Sequence, residues 1–518
     1  MLARHQRLSF LVPEFKPMPN PNHIRDLRDF LVQLNAIGDV QEIDREVDWN
    51  LEMGAIARRS MDLRAPAPLF NRIKGIAQGF RAFGAPGGLS ANPKYKYARV
   101  NLALGLPADS PPLEIVRALA DARSRPLIPP RIVSAAPCKE NVLTGDTVDL
   151  MQLPTPMIHG HDGGRYLQTY GLNIVRTPDG SWSNWSINRM MLLDKNRLGC
   201  LIPPNQHLGI IHAKWKALGK PTPIAVALGT EPGLPYVGGM PVPEGVDEAA
   251  FLGAYFGEPL DVVKGETVDI LVPATAEIVV EGFISPTDTA MEGPMDEYPG
   301  YLGDSGGGSG SPKPVLHVTA ITHRHQPILP FSTAGAPVDE NHTGWGVPHA
   351  AEILHMLRSR GEPVDICWMV LEAACHWLVV AASPNWHEQT GLDSKSFAER
   401  VGREIFATKA GFGPAKILMI ENDIDVSNVD EVVWAFASRA HPSHSEIYFD
   451  NEAQNALPVF LDKNEKHSFR SVKVIHNALL ADRFAPADRP KRSDLLNGWP
   501  SAVRDQVLHN WAAYGYKT

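Results

Sequence analysis

The chain has 518 residues, 44% of them hydrophobic and 21% charged, a balance that fits a globular protein with a large core shared among two or three domains. Its net charge of -9 excludes a general basic surface for nucleic acid or an anionic membrane, so any anionic ligand must meet a local cationic site. Four scattered cysteines (Cys138, Cys200, Cys367, Cys375) without a C-x-x-C exclude a disulfide framework and point to a reducing compartment, the cytoplasm.

Residues 1–22 lack an apolar secretory segment and are expected to form a tail or arm. Next, "NHIRDLRDFLVQLNAIGDV" places Ile24, Leu27, Phe30, Leu31 and Leu34 at helical spacing, with Gly38 as the stop. Short strand and turn segments run to about residue 125, where the proline-rich "RPLIPPRIVSAAPCKEN" leads into a β-rich region. There "LNIVRTPDGSWSNWSINRMMLLDKNRLGCLI" reads as three consecutive strands with turns at Pro-Asp-Gly and Asp-Lys-Asn, and "DEAAFLGAYFG" as a short helix. "GDSGGGSGSPKP" (303–314) reads as a flexible segment, a flap or a plain exposed loop; it lacks the Gly-Lys-Ser/Thr of a nucleotide loop. Beyond 335, "AAEILHMLRSRG", "FAERVGREIFATKAGF" and "VDEVVWAFASRA" alternate with strands such as "AKILMIEND", an α/β pattern closed by a docking helix, "SAVRDQVLHNWAAYGY". The longest apolar run, "ICWMVLEAACHWLVVAA", is broken by Glu372 and His376 and is too short to span a membrane.

Several polar residues stand in settings that need a partner. "TAMEGPMDEYPGY" packs Glu292, Asp296 and Glu297 around a Gly-Pro turn through which no regular helix can run. Arg189 follows Asn184 on an expected apolar strand, where a guanidinium requires a carboxylate or phosphate unless it reaches solvent. Pro203-Pro204 presents Gln206 and His207 from a rigid turn, and Glu248 sits in the first turn of a helix, which the helix dipole alone would favour. "MIHGHDGG" places His159 and His161 at a spacing that can share a metal, the pattern of a metal-dependent hydrolase. Cys375 and His376, adjacent on an expected strand, point to opposite faces and read as packing.

Taken in order, "NWSINR", "PPNQH", "GGMPVPEGVDE" and "EGPMDE" resemble the UbiD-like decarboxylases, in particular the ferulic/cinnamic acid decarboxylase branch. The resemblance extends from about Ile24 through "RVGREIFATKAG" and "ENDIDVSNVDEVVWAFASR" to the final helix. It implies a multidomain α+β / α/β fold: an N-terminal extension (1–22), an N-terminal α/β domain (23–128), a split β-barrel that binds prenylated FMN (129–330), a C-terminal α/β oligomerisation domain (331–485) and a linker with docking helix (486–518). By the same resemblance, Asn184, His207 and Glu248 hold Mn²⁺ or Mg²⁺ against the flavin phosphate, an oxygen-rich set suited to those ions. Main-chain carbonyls at Trp185 and Met240 hold K⁺, and Lys409 reaches the phosphate. Thr169, Ser186, Ile187, Arg189, Gln206 and Gly239 complete the implied cofactor site. "PPNQH" departs from the family's usual "PPQH", which alters the local turn.

The resemblance also makes Arg189, Glu292 and Glu297 the catalytic triad of a carboxy-lyase acting reversibly on an aromatic, heteroaromatic or α,β-unsaturated acid. Loss of CO₂ from an sp² carbon needs an electron sink that side chains cannot supply; the family's modified flavin supplies it through a covalent adduct. Arg189 is suited to orient the carboxylate, Glu297 to deliver the proton, Glu292 to pair with Arg189, and Asp296 to a structural role. Tyr298, Asn341, Trp345 and Ala456 are expected to line the substrate pocket; Asn341 offers a donor and an acceptor and Trp345 a flat stacking face, favouring a polar-substituted or heteroaromatic ring. Expected partners are the acid substrate, a flavin prenyltransferase as cofactor supplier and further copies of the chain, with neither nucleic acid nor membrane. A hydrolase built on His159/His161 and a non-catalytic flavin-binding scaffold are the alternatives, separable by zinc content and flavin absorbance.

Overall fold

The first expected helix forms over Leu27–Ala36, burying Leu27, Phe30, Leu31 and Leu34 and capped by Asp26, whose carboxylate accepts the Asp29 N–H at 2.8 Å. Gly38, at φ +74°, takes the left-handed turn that ends it. The computed structural model describes residues 18–302, 310–485 and 487–516. Most of the expected N-terminal arm (1–17) and glycine-rich segment (303–309) lie outside the described residues. Residues 18–25 do pack: Asn20 N donates to Phe256 O at 2.8 Å, and His23 stacks on Phe256 between the carboxylates of Glu231 and Glu258.

A four-stranded sheet follows, in the order Val40–Ile43, Ala67–Phe70, Arg81–Gly84, Ile328–Phe331. Its last member arrives from far along the chain and runs parallel to Arg81–Gly84. The central sheet has nine strands, all paired antiparallel: Tyr166–Gln168, Met190–Leu192, Arg197–Cys200, Ser311–His323, Ile278–Glu292, Thr222–Leu228, Leu172–Arg176 and Ser183–Ser186, with Asn141–Thr144 beside Ser311–His323. The sheet curls so that its first strand comes beside the last but one, where Gln168 Nε2 donates to Asn173 Oδ1 at 3.4 Å. Val175, Val226, Val280 and Leu316 fill the inside of the curl.

Three expectations change here. The stretch read as three strands is four, and Arg189 lies on none of them. Ser183–Ser186 pairs at one end of the sheet and Met190–Leu192 at the other, so Ile187–Arg189 crosses the mouth of the curl without ladder bonds. Ser311–Pro314, read as part of a flexible segment, belongs to a strand, with Pro312 opposite Met291 and Ser311 opposite Glu292.

The C-terminal sheet runs Val364–Met369, Trp377–Ala382, Lys416–Glu421, Arg470–Asn477, Glu446–Ala453, flanked by helices Val347–Ser359, Ser394–Phe406 and Val429–Arg439. Cys375 and His376 precede the strand Trp377–Ala382 rather than lying on it; Ala374 and Cys375 have φ of +50° and +57°, and the buried Cys375 thiol donates to His342 O. The terminal helix Ser501–His509 buries no side chain against its own chain, leaving Val503 and Leu508 exposed. Among the described residues no helix is long and apolar enough to cross a membrane.

Candidate active site

Arg189 leaves its crossing segment to meet two carboxylates. Its Nε donates to Glu292 Oε1 at 2.9 Å and its Nη2 to Glu292 Oε2 at 3.3 Å, while Nη1 donates to Glu297. Glu292 ends the long strand Ile278–Glu292; Glu297 stands five residues on, in a turn closed by Gly300 N to Glu297 O at 3.0 Å. The two acids differ in setting: the Glu292 side chain is 0% exposed and that of Glu297 17%. Tyr166 donates its hydroxyl to Glu292 Oε1 at 2.9 Å, and its ring lies 5.8 Å from the guanidinium carbon. Asp296 is buried, and its N–H donates to Asp162 at 3.1 Å.

A second cluster lies before the crossing. Asn184 Nδ2 and Trp185 N donate to the two oxygens of Glu248, each at 2.8 Å. Glu248 opens the helix Glu248–Phe256, whose N-cap is Asp247. His207 opens a helix of its own, His207–Ala217, instead of ending a turn; its Nδ1 lies 3.8 Å from Glu248. Lys409 Nζ lies 3.0 Å from His207 Nε2. Burial raises the Glu248 carboxyl well above the usual range, lowers the Lys409 ammonium, and together with Lys409 pushes His207 down to about 3. Each group is therefore driven toward its neutral form, and Asn184 Oδ1 is buried with no partner. Such a set fits a divalent cation at Asn184, His207 and Glu248 with an anion at Lys409: the cation would favour the Glu248 carboxylate and the neutral His207 ring, and the anion the Lys409 ammonium. It holds only two of the His, Cys, Asp or Glu ligands usual at metal sites, and no group of three or more occurs among the described residues.

Asn188, the chain neighbour of Arg189, bonds to Gln206, the chain neighbour of His207. Asn188 donates to Gln206 Oε1 at 2.8 Å and accepts from Ser186 Oγ at 3.2 Å, while its carbonyl takes the Asn173 amide at 2.8 Å. Ile187, beside it, is half-buried. Thr169 Oγ1 accepts the Ser332 N–H at 2.9 Å. Gly239 and Met240 follow the helix Leu234–Gly238; Met240 is buried, and a Cβ on Gly239 would lie 2.5 Å from Gly344 O. Asn341 donates its amide to Ser332 Oγ at 2.8 Å and Asp339 Oδ1 at 3.2 Å. The Trp345 ring lies 5.6 Å from Tyr298 and 4.0 Å from His349, and a side chain on Gly413 would come within 2.5 Å of it. Ala456 has an apolar side chain, and its neighbour Asn455 donates to Tyr298 Oη at 3.3 Å.

Sequence reasoning missed Tyr166, Asn188, the Asp339–His342 pair and Lys473. Lys473, 1% exposed, donates to Gly411 O and to Pro414 O (3.1 Å), tying down the turn that carries Lys409. A hydroxyl or ammonium inside an apolar strand is the available signal, since each needs a buried partner. The hydrolase pattern does not assemble: His159 is tied to Asp162 at 3.1 Å and His161 is exposed.

Three family descriptions match successive parts of the chain: the 3-octaprenyl-4-hydroxybenzoate carboxy-lyase N-terminal domain (residues 31–119), Rift-related domain (131–337) and C-terminal domain (342–478). Pyrrole-2-carboxylic acid decarboxylase of Pseudomonas aeruginosa is 43% identical over 491 residues, 95% of this chain and 98% of the relative. Ferulic acid decarboxylase 1 of Saccharomyces cerevisiae is 36% identical over 502 residues, 96% and 99% of the two chains. Among solved structures, an evolved dimeric form of the UbiD-class enzyme HmfF from Pelotomaculum thermopropionicum in complex with prFMN matches with a TM-score of 0.74 at 27% identity, covering 92% of this chain and 99% of that one.

Proposed function

Because the chain belongs to the UbiD family of carboxy-lyases, we propose that it is a prenylated-FMN-dependent decarboxylase of an aromatic or heteroaromatic carboxylic acid. The observation that carries this reading is one arginine held between a fully buried glutamate and a partly exposed one, in a chain that also assembles a buried cluster suited to a cation and a phosphate.

Prenylated FMN, when bound, supplies the electron sink that CO₂ loss from an sp² carbon requires. The chain's own residues do the rest. Arg189 orients the substrate carboxylate, kept in place by Glu292 and, through Glu292, by Tyr166. Glu297, the more exposed acid, can leave Arg189 and carry a proton to the carbon that loses CO₂; Glu292 cannot leave without stranding a charge. Asn184, His207 and Glu248 would hold Mn²⁺ or Mg²⁺, the carbonyls of Trp185 and Met240 K⁺, and Lys409 the phosphate. Thr169, Ser186, Ile187, Gln206 and Gly239 would surround the flavin.

Asn341 narrows the substrate. A carboxylate only accepts, so the amide NH₂ faces Asp339 and the carbonyl oxygen is left for a donor. A ring N–H or hydroxyl fits that oxygen better than a furan oxygen, in keeping with the pyrrole-2-carboxylate activity for which the Pseudomonas relative is named. The domain limits 23–128, 129–330 and 331–485, a split-barrel description, a cytoplasmic location, supply by a flavin prenyltransferase and reversibility belong to the same proposal. So does assembly with further copies, supported by the terminal helix that buries nothing at home.

The test is CO₂ release from a panel of pyrrole, furan, indole, hydroxybenzoic and cinnamic acids, using protein co-expressed with a flavin prenyltransferase. Flavin-dependent release is expected. No release from any acid by flavin-loaded protein, or full activity without flavin, would overturn the proposal.

A further inference from the structure

His342 lies outside the triad and the cation set, fully buried on the short helical turn His342–Gly346, with both ring nitrogens engaged. Its Nε2 lies 2.9 Å from Tyr298 O; a carbonyl only accepts, so Nε2 carries a proton and donates it. Its Nδ1 lies 3.0 Å from both the main-chain nitrogen and Oδ1 of Asp339, which can donate to it or accept from it. The ring therefore cannot turn without losing both ends. Asp339 is itself anchored, accepting Gly335 N at 3.0 Å and Asn341 N at 2.8 Å, with Arg58 Nη1 at 3.5 Å. The carbonyl at the far end belongs to Tyr298, next in the chain after Glu297, inside the turn that Gly300 N closes on Glu297 O.

We propose that Asp339 and His342 are positioning residues that set the approach of Glu297 to the substrate, and that Asp339, by also holding the Asn341 amide, ties proton delivery to recognition of the ring. This rests on the reading of Glu297 as proton donor. A half-buried carboxylate on a turn swings freely unless the main chain beside it is held, and proton transfer requires an approach good to a fraction of an ångström. The imidazole supplies the hold from the buried turn His342–Gly346.

A double-mutant cycle on flavin-loaded enzyme tests this. His342→Leu is expected to lower kcat about tenfold, with flavin content kept and KM changed by less than about threefold. His342→Gln, whose amide can still donate to Tyr298 O, is expected to restore most of the loss. Asp339→Asn is expected to raise KM as well as lower kcat, because it loosens Asn341 too. In a Glu297→Gln background, adding His342→Leu is expected to cost less than about threefold, since there is no proton left to aim. The same tenfold loss in both backgrounds would overturn the proposal and make His342 a packing residue. Near-normal turnover by Glu297→Gln alone would instead refute the donor assignment, and this proposal with it. If His342→Leu does not fold, His342→Asn, too short to reach Tyr298 O, replaces it in the cycle.

Discussion

Replacing Arg189 with Met keeps an unbranched stem but removes the cation from beside Glu292, whose side chain has no exposure of its own. Removing one partner of a buried pair costs about 3–5 kcal/mol, because the remaining charge is left uncompensated. Glu292 would keep the Tyr166 hydroxyl at 2.9 Å, too little to replace a guanidinium bonded to both oxygens. The folded variant escapes the penalty by protonating that carboxyl. The unfolded chain, with glutamates titrating near about 4.3, does not hold the proton at neutral pH. Where the folded state binds more protons than the unfolded, stability falls as pH rises, so the deficit against wild type grows from pH 5 to pH 8. At about 2–4 °C per kcal/mol for a domain of 150–250 residues, the variant should melt roughly 6–20 °C below wild type at pH 8 and much closer to it at pH 5. Calorimetry on flavin-free protein, where cofactor binding adds nothing, measures this. An equal deficit at both pH values would refute the reasoning, because Arg189 would then not be compensating a buried charge.

Glu248→Ala removes the sole carboxylate of the cation set and the acceptor for Asn184 and Trp185; protein made with the prenyltransferase should lose bound flavin and manganese together, read by absorbance and metal analysis. Asn341→Ala should lower kcat/KM for pyrrole-2-carboxylate about five- to tenfold and leave furan-2-carboxylate nearly unchanged, which steady-state kinetics on the two acids will decide. At His23 burial lowers the pKa, but the carboxylates of Glu231 and Glu258 more than offset it and the net shift is upward. The stabilisation is therefore complete below pH 6.5 and lost as pH rises through the raised value. His23→Gln should accordingly cost about 1–3 kcal/mol near pH 6 and much less in alkaline solution, measured by paired denaturant titrations.

Local patterns were legible wherever the fold keeps chain neighbours together. Leu27, Phe30, Leu31 and Leu34 repeat at helical spacing and form one buried face. Glu248 stands at the start of its helix, as the run after Pro243 suggests, and Glu292 and Glu297 converge on one guanidinium from either end of a Gly-Pro turn. Arg189 was read onto a strand because "NWSINRMM" has no Gly or Pro to mark a break; the break is set by a curled sheet whose two ends both claim the segment. The partners of Tyr166, His342 and Lys473 were hidden for another reason. They lie 126, 44 and 59 residues away, and no local period encodes such pairings.

Parallel pairing of Ile328–Phe331 with Arg81–Gly84 has a consequence for how the molecule is made. Translation proceeds at about 5–20 residues per second, so the edge of Arg81–Gly84 waits roughly 12–50 s for its partner strand to be synthesised. Throughout that interval a row of backbone donors and acceptors stands open to any neighbouring nascent chain. Yield in a heterologous host should therefore respond to ribosome pace and chaperone supply more than to the stability of the finished protein, and a truncation ending before Ile328 would leave that edge open permanently.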